Sequence, residues 1–66
     1  MKLRIKELRK AGGLSQKKLS AAAGVSQGKI SEYEAGITLP RIDTAQRIAV
    51  ALGVSVDDLY NDNAAS

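Results

Sequence analysis

The sequence predicts an all-α fold, a compact domain of five short helices. Three observations support this class. Apolar residues recur every three or four positions and not on alternate ones, serines stand where helices would begin, and glycines stand where they would end. A chain of 66 residues is long enough for one small core. We expect one domain over residues 1–61 and a frayed tail over residues 62–66.

The first two helices are predicted near residues 2–11 and 16–23. Ile5 and Leu8 lie three positions apart among charged residues, which gives the first helix one apolar face. The second helix begins after Ser15, a residue type that caps helix N-termini well. Glycines follow both segments and are expected to end them.

The third helix is predicted over residues 27–35, between the N-cap Ser26 and Gly36. The fifth is predicted over residues 56–60. Ser55 precedes it and an aspartate follows three positions later, a pattern that resembles a capping box. Both helices are therefore delimited by local signals.

The fourth helix, residues 42–52, has the most regular apolar stripe in the chain. Its apolar residues recur at helical spacing until a glycine ends the pattern. We expect this stripe to face the core. Its members are Ile42, Ala45, Ile48, Ala49 and Leu52.

Gly24, Val25 and Ser26 join the second and third helices through a three-residue connection, the layout of a helix-turn-helix. At 100° per residue, one side of the third helix has short polar or absent side chains and no large apolar residue. Glutamine on such a face can hold adenine through two hydrogen bonds, and small residues let a helix approach base edges closely. The members of this face are Gln27, Gly28, Ser31 and Glu32.

Gly28 lowers the stability of its helix by roughly 0.5–1 kcal/mol relative to alanine. Two interpretations remain open. The glycine provides clearance for a partner, or its position in the first helical turn makes it nearly neutral.

Charge is distributed unevenly along the chain. Residues 1–33 contain eight Lys or Arg against two Glu, a net charge of +6, whereas residues 34–66 have a net charge of −3. This asymmetry suits a face that meets a polyanion, although a lysine-rich solvated helix explains it as well.

The composition also narrows the function classes. Without cysteine or histidine, disulfides and the common zinc sites are excluded, and we expect no cofactor and no metal. No motif for a nucleophile or for phosphate transfer occurs, so we expect no enzyme. The longest apolar runs are a few residues, which predicts a cytoplasmic protein with no membrane partner.

Two segments, LRKAGGLSQKKLSAAAGVSQGKISEYEAG and PRIDTAQRIAVALGVSVDDL, resemble the Cro and phage-repressor (XRE-type) helix-turn-helix proteins. The resemblance covers about residues 3–60 with its motifs in register. It implies a lambda-repressor-like domain that binds double-stranded DNA with the third helix in the major groove. A transcriptional regulator, specifically a repressor, is the function implied.

The resemblance also implies roles for individual residues. Gln16 would bind a phosphate and brace Gln27, and Arg9 would form a buried ion pair with Glu34. The positions expected to read bases are Gln27, Gly28, Ser31 and Glu32. The positions expected to contact phosphates are Gln16, Lys17, Lys18, Lys29 and Thr38.

The sequence departs from the family pattern at two places. Ala35 stands where asparagine is frequent, so only its main-chain amide can meet a phosphate. The loop that follows reads Ile37, Thr38, Leu39, without the usual Lys or Arg. We therefore expect weaker phosphate anchoring after the third helix.

One recognition helix contacts only a few base pairs, so we expect a homodimer on a palindromic or pseudo-palindromic operator. Apolar residues without an evident place in the core are the candidates for its interface. Val56 could instead be an isolated exposed valine. The candidates are Ile37, Leu39, Val50, Val56 and Tyr60.

The same fold also suits a different class of function. An antitoxin or an adaptor uses it mainly to bind another protein, and the fold alone does not separate these functions from gene regulation. The polar face of the third helix favours DNA.

Overall fold

The computed structural model describes residues 3–60, and within that range it contains five helices and no strand. The predicted all-α class is confirmed. Helices α2 to α5 occupy the residue ranges expected from the sequence, and residues 61–66, including the expected tail, lie outside the described part. The helices are α1 (Ile5–Ala11), α2 (Gln16–Ala23), α3 (Gln27–Ala35), α4 (Ile42–Leu52) and α5 (Val56–Tyr60).

The sequence had suggested that α1 begins near residue 2, but the helix begins at Ile5. The two residues before it serve the tertiary structure. Leu3 is buried, and the Arg4 backbone N–H donates to the carbonyl oxygen of Leu59 at 2.9 Å. This hydrogen bond joins the start of the chain to α5, so the helix starts only after it.

The expected serine caps are present. Ser15 and Ser26 each accept a hydrogen bond from the backbone N–H three residues later, at 3.0 and 3.2 Å. Ser55 and Asp58 bond reciprocally, as a capping box requires, at 3.1 and 3.3 Å. These local hydrogen bonds mark the starts of α2, α3 and α5.

Five large side chains at the centre of the core are fully buried, and each helix contributes one of them. Burial of apolar surface is the main stabilising contribution in a domain this small. Because the five side chains belong to one cluster, displacing any helix would expose part of the core to water. They are Ile5, Leu19, Ile30, Ile48 and Leu59.

Ile42 does not join this core, although the stripe on α4 had suggested that it would. Its exposed fraction is 65%, whereas Ala45 and Ile48 are fully buried. Ile42 opens the first turn of α4, at the edge of the apolar stripe. Part of the predicted core face is therefore surface.

The connection between α2 and α3 is held by hydrogen bonds at both sides of Gly24. The backbone N–H of Val25 donates to the Ser20 carbonyl at 3.2 Å, and the Ser20 hydroxyl donates to the Val25 carbonyl. Gly24 has φ of +69°, a left-handed conformation that glycine adopts at little cost. Val25 packs against the core, so the turn fixes α3 relative to α2.

Candidate nucleic-acid interface

Helix α3 has one buried face and one exposed polar face. Ile30 is fully buried and Tyr33 nearly so. On the opposite side the structure brings together the four positions expected to read bases. Three of them, Gln27, Gly28 and Ser31, are exposed, and the side chain of Glu32 is 43% exposed.

Nothing inside the domain requires the glycine at position 28. A Cβ atom added to Gly28 would meet no atom within 4 Å, and its backbone is helical. A larger side chain would therefore fit in the free protein. If the glycine has a purpose, that purpose lies in what approaches α3 from outside.

Arg9 and Glu34 form an ion pair between α1 and α3. Arg9 Nε lies 2.7 Å from Glu34 Oε2, and Arg9 Nη2 donates to Glu34 Oε1 at 3.2 Å. Arg9 Nη1 donates to the carbonyl of Leu14 at 2.9 Å. The two side chains are only 10% and 5% exposed, so the charges are paired and largely removed from water.

The surroundings shift both ionisation equilibria. Burial alone raises the pKa of Glu34, but the hydrogen bonds from Arg9 and Gln16, together with the positive charges of Arg9 and Lys6, outweigh it and hold the pKa below its usual value. The hydrogen bond to Glu34 raises the pKa of Arg9, despite the opposing effect of burial. Both side chains are charged at neutral pH.

Gln16 extends this network to α2. Its Nε2 donates to Glu34 Oε1 at 3.0 Å. An amide that donates to a charged carboxylate makes a stronger hydrogen bond than one that donates to a neutral acceptor, so this contact holds Gln16 against Glu34. The expected brace between Gln16 and Gln27 stays a prediction. Neither the residue pattern nor the family resemblance had indicated this third member of the network.

The residues expected to contact phosphates lie on α2, on α3 and in the loop after α3. Lys17 and Lys18 are exposed in the first turn of α2, and Thr38 is half-buried in the loop after α3. Lys29 Nζ lies 3.6 Å from Glu32 Oε1 in an exposed pair. Cationic side chains therefore lie at the first turns of both helices of the helix-turn-helix.

The apolar residues expected at a dimer interface divide into two groups. Val56 and Tyr60 are half-buried and pack against the core. The others are largely exposed, and Ile42, which was not among the candidates, joins them. The exposed fractions are Ile37 74%, Leu39 59%, Ile42 65% and Val50 79%.

Within residues 3–60, no group of three or more His, Cys, Asp or Glu side chains is arranged to hold a metal ion. No helix in the same range combines the length and apolar character needed to cross a membrane.

Comparisons with known proteins agree with this architecture. A helix-turn-helix family model matches residues 5–59. The HTH-type transcriptional regulator DdrOP3 of Deinococcus deserti is 41% identical over 56 residues, which are 85% of this chain and 43% of that protein. The chain thus spans less than half the length of this relative.

Solved structures of helix-turn-helix proteins are similar to this chain in both fold and sequence. The N-terminal DNA-binding domain of SinR from Bacillus subtilis is 32% identical with a TM-score of 0.85, covering 92% of this chain and 90% of that one. SinR in complex with DNA is 34% identical with a TM-score of 0.82, covering 86% and 92%. The restriction-modification controller protein C.AhdI from Aeromonas hydrophila is 30% identical with a TM-score of 0.82, covering 85% of each chain. This chain belongs to the XRE-type helix-turn-helix family of transcriptional regulators.

Proposed function

We propose that this protein is a repressor that binds double-stranded DNA as a homodimer and reads operator half-sites with α3 in the major groove. The observation that carries the proposal is the exposed face of α3, where Gln27, Gly28, Ser31 and Glu32 offer polar groups and open space. A helix fits the major groove, where each base pair presents a distinct pattern of donors and acceptors. SinR, whose fold this chain shares, has been crystallised with DNA.

Gln27 is proposed to make the main base contact. It is the first residue of α3, and recognition helices contact bases mostly through their N-terminal residues. Its amide can donate to N7 and accept from N6 of adenine. Ser31 lies one turn further along the same face and can contact a neighbouring base edge.

Phosphate contacts are assigned to the cationic and polar groups that flank this face. The first turns of α2 and α3 present backbone N–H groups and lysines, a combination that binds anions. Anchoring after α3 is weaker, because Ala35 has no side-chain donor and the loop lacks a cation. The assigned residues are Gln16, Lys17, Lys18, Lys29 and Thr38.

The ion pair of Arg9 and Glu34 has a positioning role in this proposal. It ties α3 to α1, and Gln16 ties the same carboxylate to α2. Because Gln16 is itself assigned to a phosphate, the network joins the DNA backbone to the recognition helix. A shift of α3 within the groove would then disturb both sets of contacts.

A second copy would cover the exposed apolar residues. Ile37, Leu39 and Ile42 are largely exposed on the loop after α3 and the first turn of α4. Two-fold pairing would place two α3 helices about 34 Å apart, one turn of B-DNA, and so explain a palindromic or pseudo-palindromic operator. We assign the interface to Ile37, Leu39, Ile42, Val50, Val56 and Tyr60.

The same exposed apolar side chains favour one alternative, in which the chain is an antitoxin or adaptor and its main partner is another protein. DNA binding would then be secondary. The cytoplasm is the proposed location in both cases, and the lack of cysteine suits its reducing conditions.

Selection of bound fragments from random duplex DNA tests the proposal. The expected result is one enriched motif with two-fold symmetry, bound more weakly as salt rises because counterions are released from phosphates. Gln27→Ala should remove the base preference at one position of each half-site. Gln46→Ala, which changes an exposed glutamine on α4, serves as the matched control and should leave the motif unchanged. Failure of the wild-type protein to enrich any sequence would contradict the proposal and favour the protein-partner alternative.

A further inference from the structure

We propose that Glu32 makes this protein require a C·G pair at one position of each half-site. In this proposal the Glu32 carboxylate accepts a hydrogen bond from the exocyclic N4 amino group of cytosine. The inference rests on the proposed function, since it presumes that α3 enters the major groove. It adds a base identity to one residue of that interface.

The geometry leaves room for a base beside Glu32. Gly28 lies one helical turn before Glu32 on the same face, and no atom lies within 4 Å of the place where its Cβ would be. A base edge can therefore rest against this turn of α3. The glycine creates the space, and the carboxylate borders it.

The carboxylate is also available as an acceptor. Among residues 3–60 the cation that pairs with it, Lys29 Nζ, lies 3.6 Å away, which is beyond a normal hydrogen bond. The Glu32 side chain is 43% exposed. In this respect it differs from Glu34, whose oxygens accept from Arg9 and Gln16.

The negative charge of Glu32 limits the contacts that this side chain can make with DNA. A carboxylate facing phosphates lowers affinity, and Lys29 offsets this repulsion only in part because both side chains are exposed to solvent. Glu32 is therefore unfavourable on this face unless a donor from the base compensates. A donor-dependent contact of that kind gives selectivity more than affinity.

The chemistry of the major groove points to cytosine. Only cytosine N4 and adenine N6 present amino donors there, and thymine and guanine present acceptors. On adenine the N7 acceptor lies next to the donor and repels a carboxylate. Cytosine has no such acceptor on its major-groove edge, so Glu32 should favour it over the other three bases.

The test is selection from random duplex DNA with the wild-type protein, Glu32→Gln and Glu7→Gln. Glu7 is an exposed carboxylate on α1, 67% exposed, so its variant removes the same charge away from α3. We expect one motif position to be cytosine for the wild-type protein and for Glu7→Gln. For Glu32→Gln that position should change to adenine, because glutamine pairs with adenine N6 and N7.

The second part of the test measures the affinities of the wild-type protein and Glu32→Gln for duplexes of defined sequence and for random duplex. Glu32→Gln should bind the cytosine site on the order of tenfold more weakly, relative to its own binding of random duplex, than the wild-type protein does. Its binding to random duplex should be unchanged or tighter, since a negative charge has been lost. The helical circular dichroism should stay at the wild-type level, because Glu32 contributes no core contact.

The outcomes separate the two proposals. A wild-type motif with no position that responds to Glu32→Gln overturns the assignment of cytosine but leaves DNA recognition by α3 intact. The same holds if Glu7→Gln changes the motif as much as Glu32→Gln does. A wild-type protein that enriches no sequence overturns both.

Discussion

Arg9 and Glu34, 25 positions apart in the chain, face each other through two hydrogen bonds of 2.7 and 3.2 Å and tie α1 to α3. Glu34 also accepts from Gln16 on α2. One carboxylate therefore joins the first three helices at the end of α3. Its environment links the stability of the domain to the orientation of α3.

Removing either partner should destabilise the domain strongly. Glu34→Gln or Arg9→Met leaves one buried charge unpaired, which costs about 3–5 kcal/mol, close to the whole stability of a small domain. The free energy of unfolding from urea titrations measures this loss. Glu7→Gln, which removes only the exposed pair with Arg4, should stay within about 1 kcal/mol of wild type.

The double variant Arg9→Met and Glu34→Gln distinguishes pairing from packing. With both charges removed, most of the loss should be recovered relative to either single variant, because no charge is left stranded. Equal melting temperatures for both single variants and the wild-type protein would contradict the buried pair.

The same pair should make stability depend on pH in the acid range. The folded pKa of Glu34 is lower than that of an unperturbed glutamate, so its contribution is complete above the unfolded pKa of about 4.3 and is lost as pH falls through the lower folded value. Unfolding free energies between pH 7 and pH 2 should therefore fall more steeply for the wild-type protein than for Glu34→Gln. Parallel profiles would contradict the assignment.

Local signals made most of the fold predictable. Ser15, Ser26 and Ser55 mark helix starts by a bond to a backbone N–H three residues later, and such a bond needs no tertiary contact. The start of α1 could not be predicted this way. It depends on a hydrogen bond from Arg4 to Leu59, at the other end of the chain.

The candidate site, like the fold, could be predicted from the sequence only in part. Helical periodicity was sufficient to place Gln27 and Ser31 on a face of α3 that turns away from the buried Tyr33. Periodicity could not place Ile42, because exposure depends on whether another helix covers that turn. The hydrogen bond from Gln16 to Glu34 is likewise a property of the packed structure.

Gly28→Ala should have opposite effects on stability and on DNA binding. Its Cβ meets open space and its backbone is helical, so alanine should stabilise the free domain by up to about 1 kcal/mol. The added methyl group should weaken binding to the selected operator if the space is needed by DNA. Thermal melts and mobility shifts on the same preparation measure both, and unchanged operator affinity would favour the neutral interpretation of the glycine.

Gln27→Ala and Lys17→Ala should separate base reading from phosphate contact. Loss of the Gln27 base contact should cost roughly 1–3 kcal/mol on the selected operator and almost nothing on random DNA. Lys17→Ala should weaken both and reduce the slope of log K against log salt concentration by about one unit. Equal losses on both DNAs for Gln27→Ala would contradict its role, and Gln46→Ala again provides the control.

The proposed dimer is best tested at an interface residue that does not pack against the core. Val56 is half-buried against the core, so a charge there could unfold the monomer and imitate the loss of a dimer. Ile37 is 74% exposed, and a charge at this position leaves the core intact. Ile37→Asp is therefore the informative change, and Ile37→Leu, which keeps the surface apolar, is its matched control.

We expect the wild-type protein and Ile37→Leu to sediment as dimers at micromolar concentration, and Ile37→Asp as a folded monomer. Each copy contributes position 37 to a two-fold interface, so the variant interface would hold two unpaired aspartate charges in apolar surroundings. Binding to a full operator should fall with the dimer, while binding to a single half-site should change little, because α3 is untouched. A wild-type monomer would contradict the proposed dimer itself. A dimer that survives Ile37→Asp would remove Ile37 from the interface and leave Val50, the exposed valine on α4, as the next residue to test.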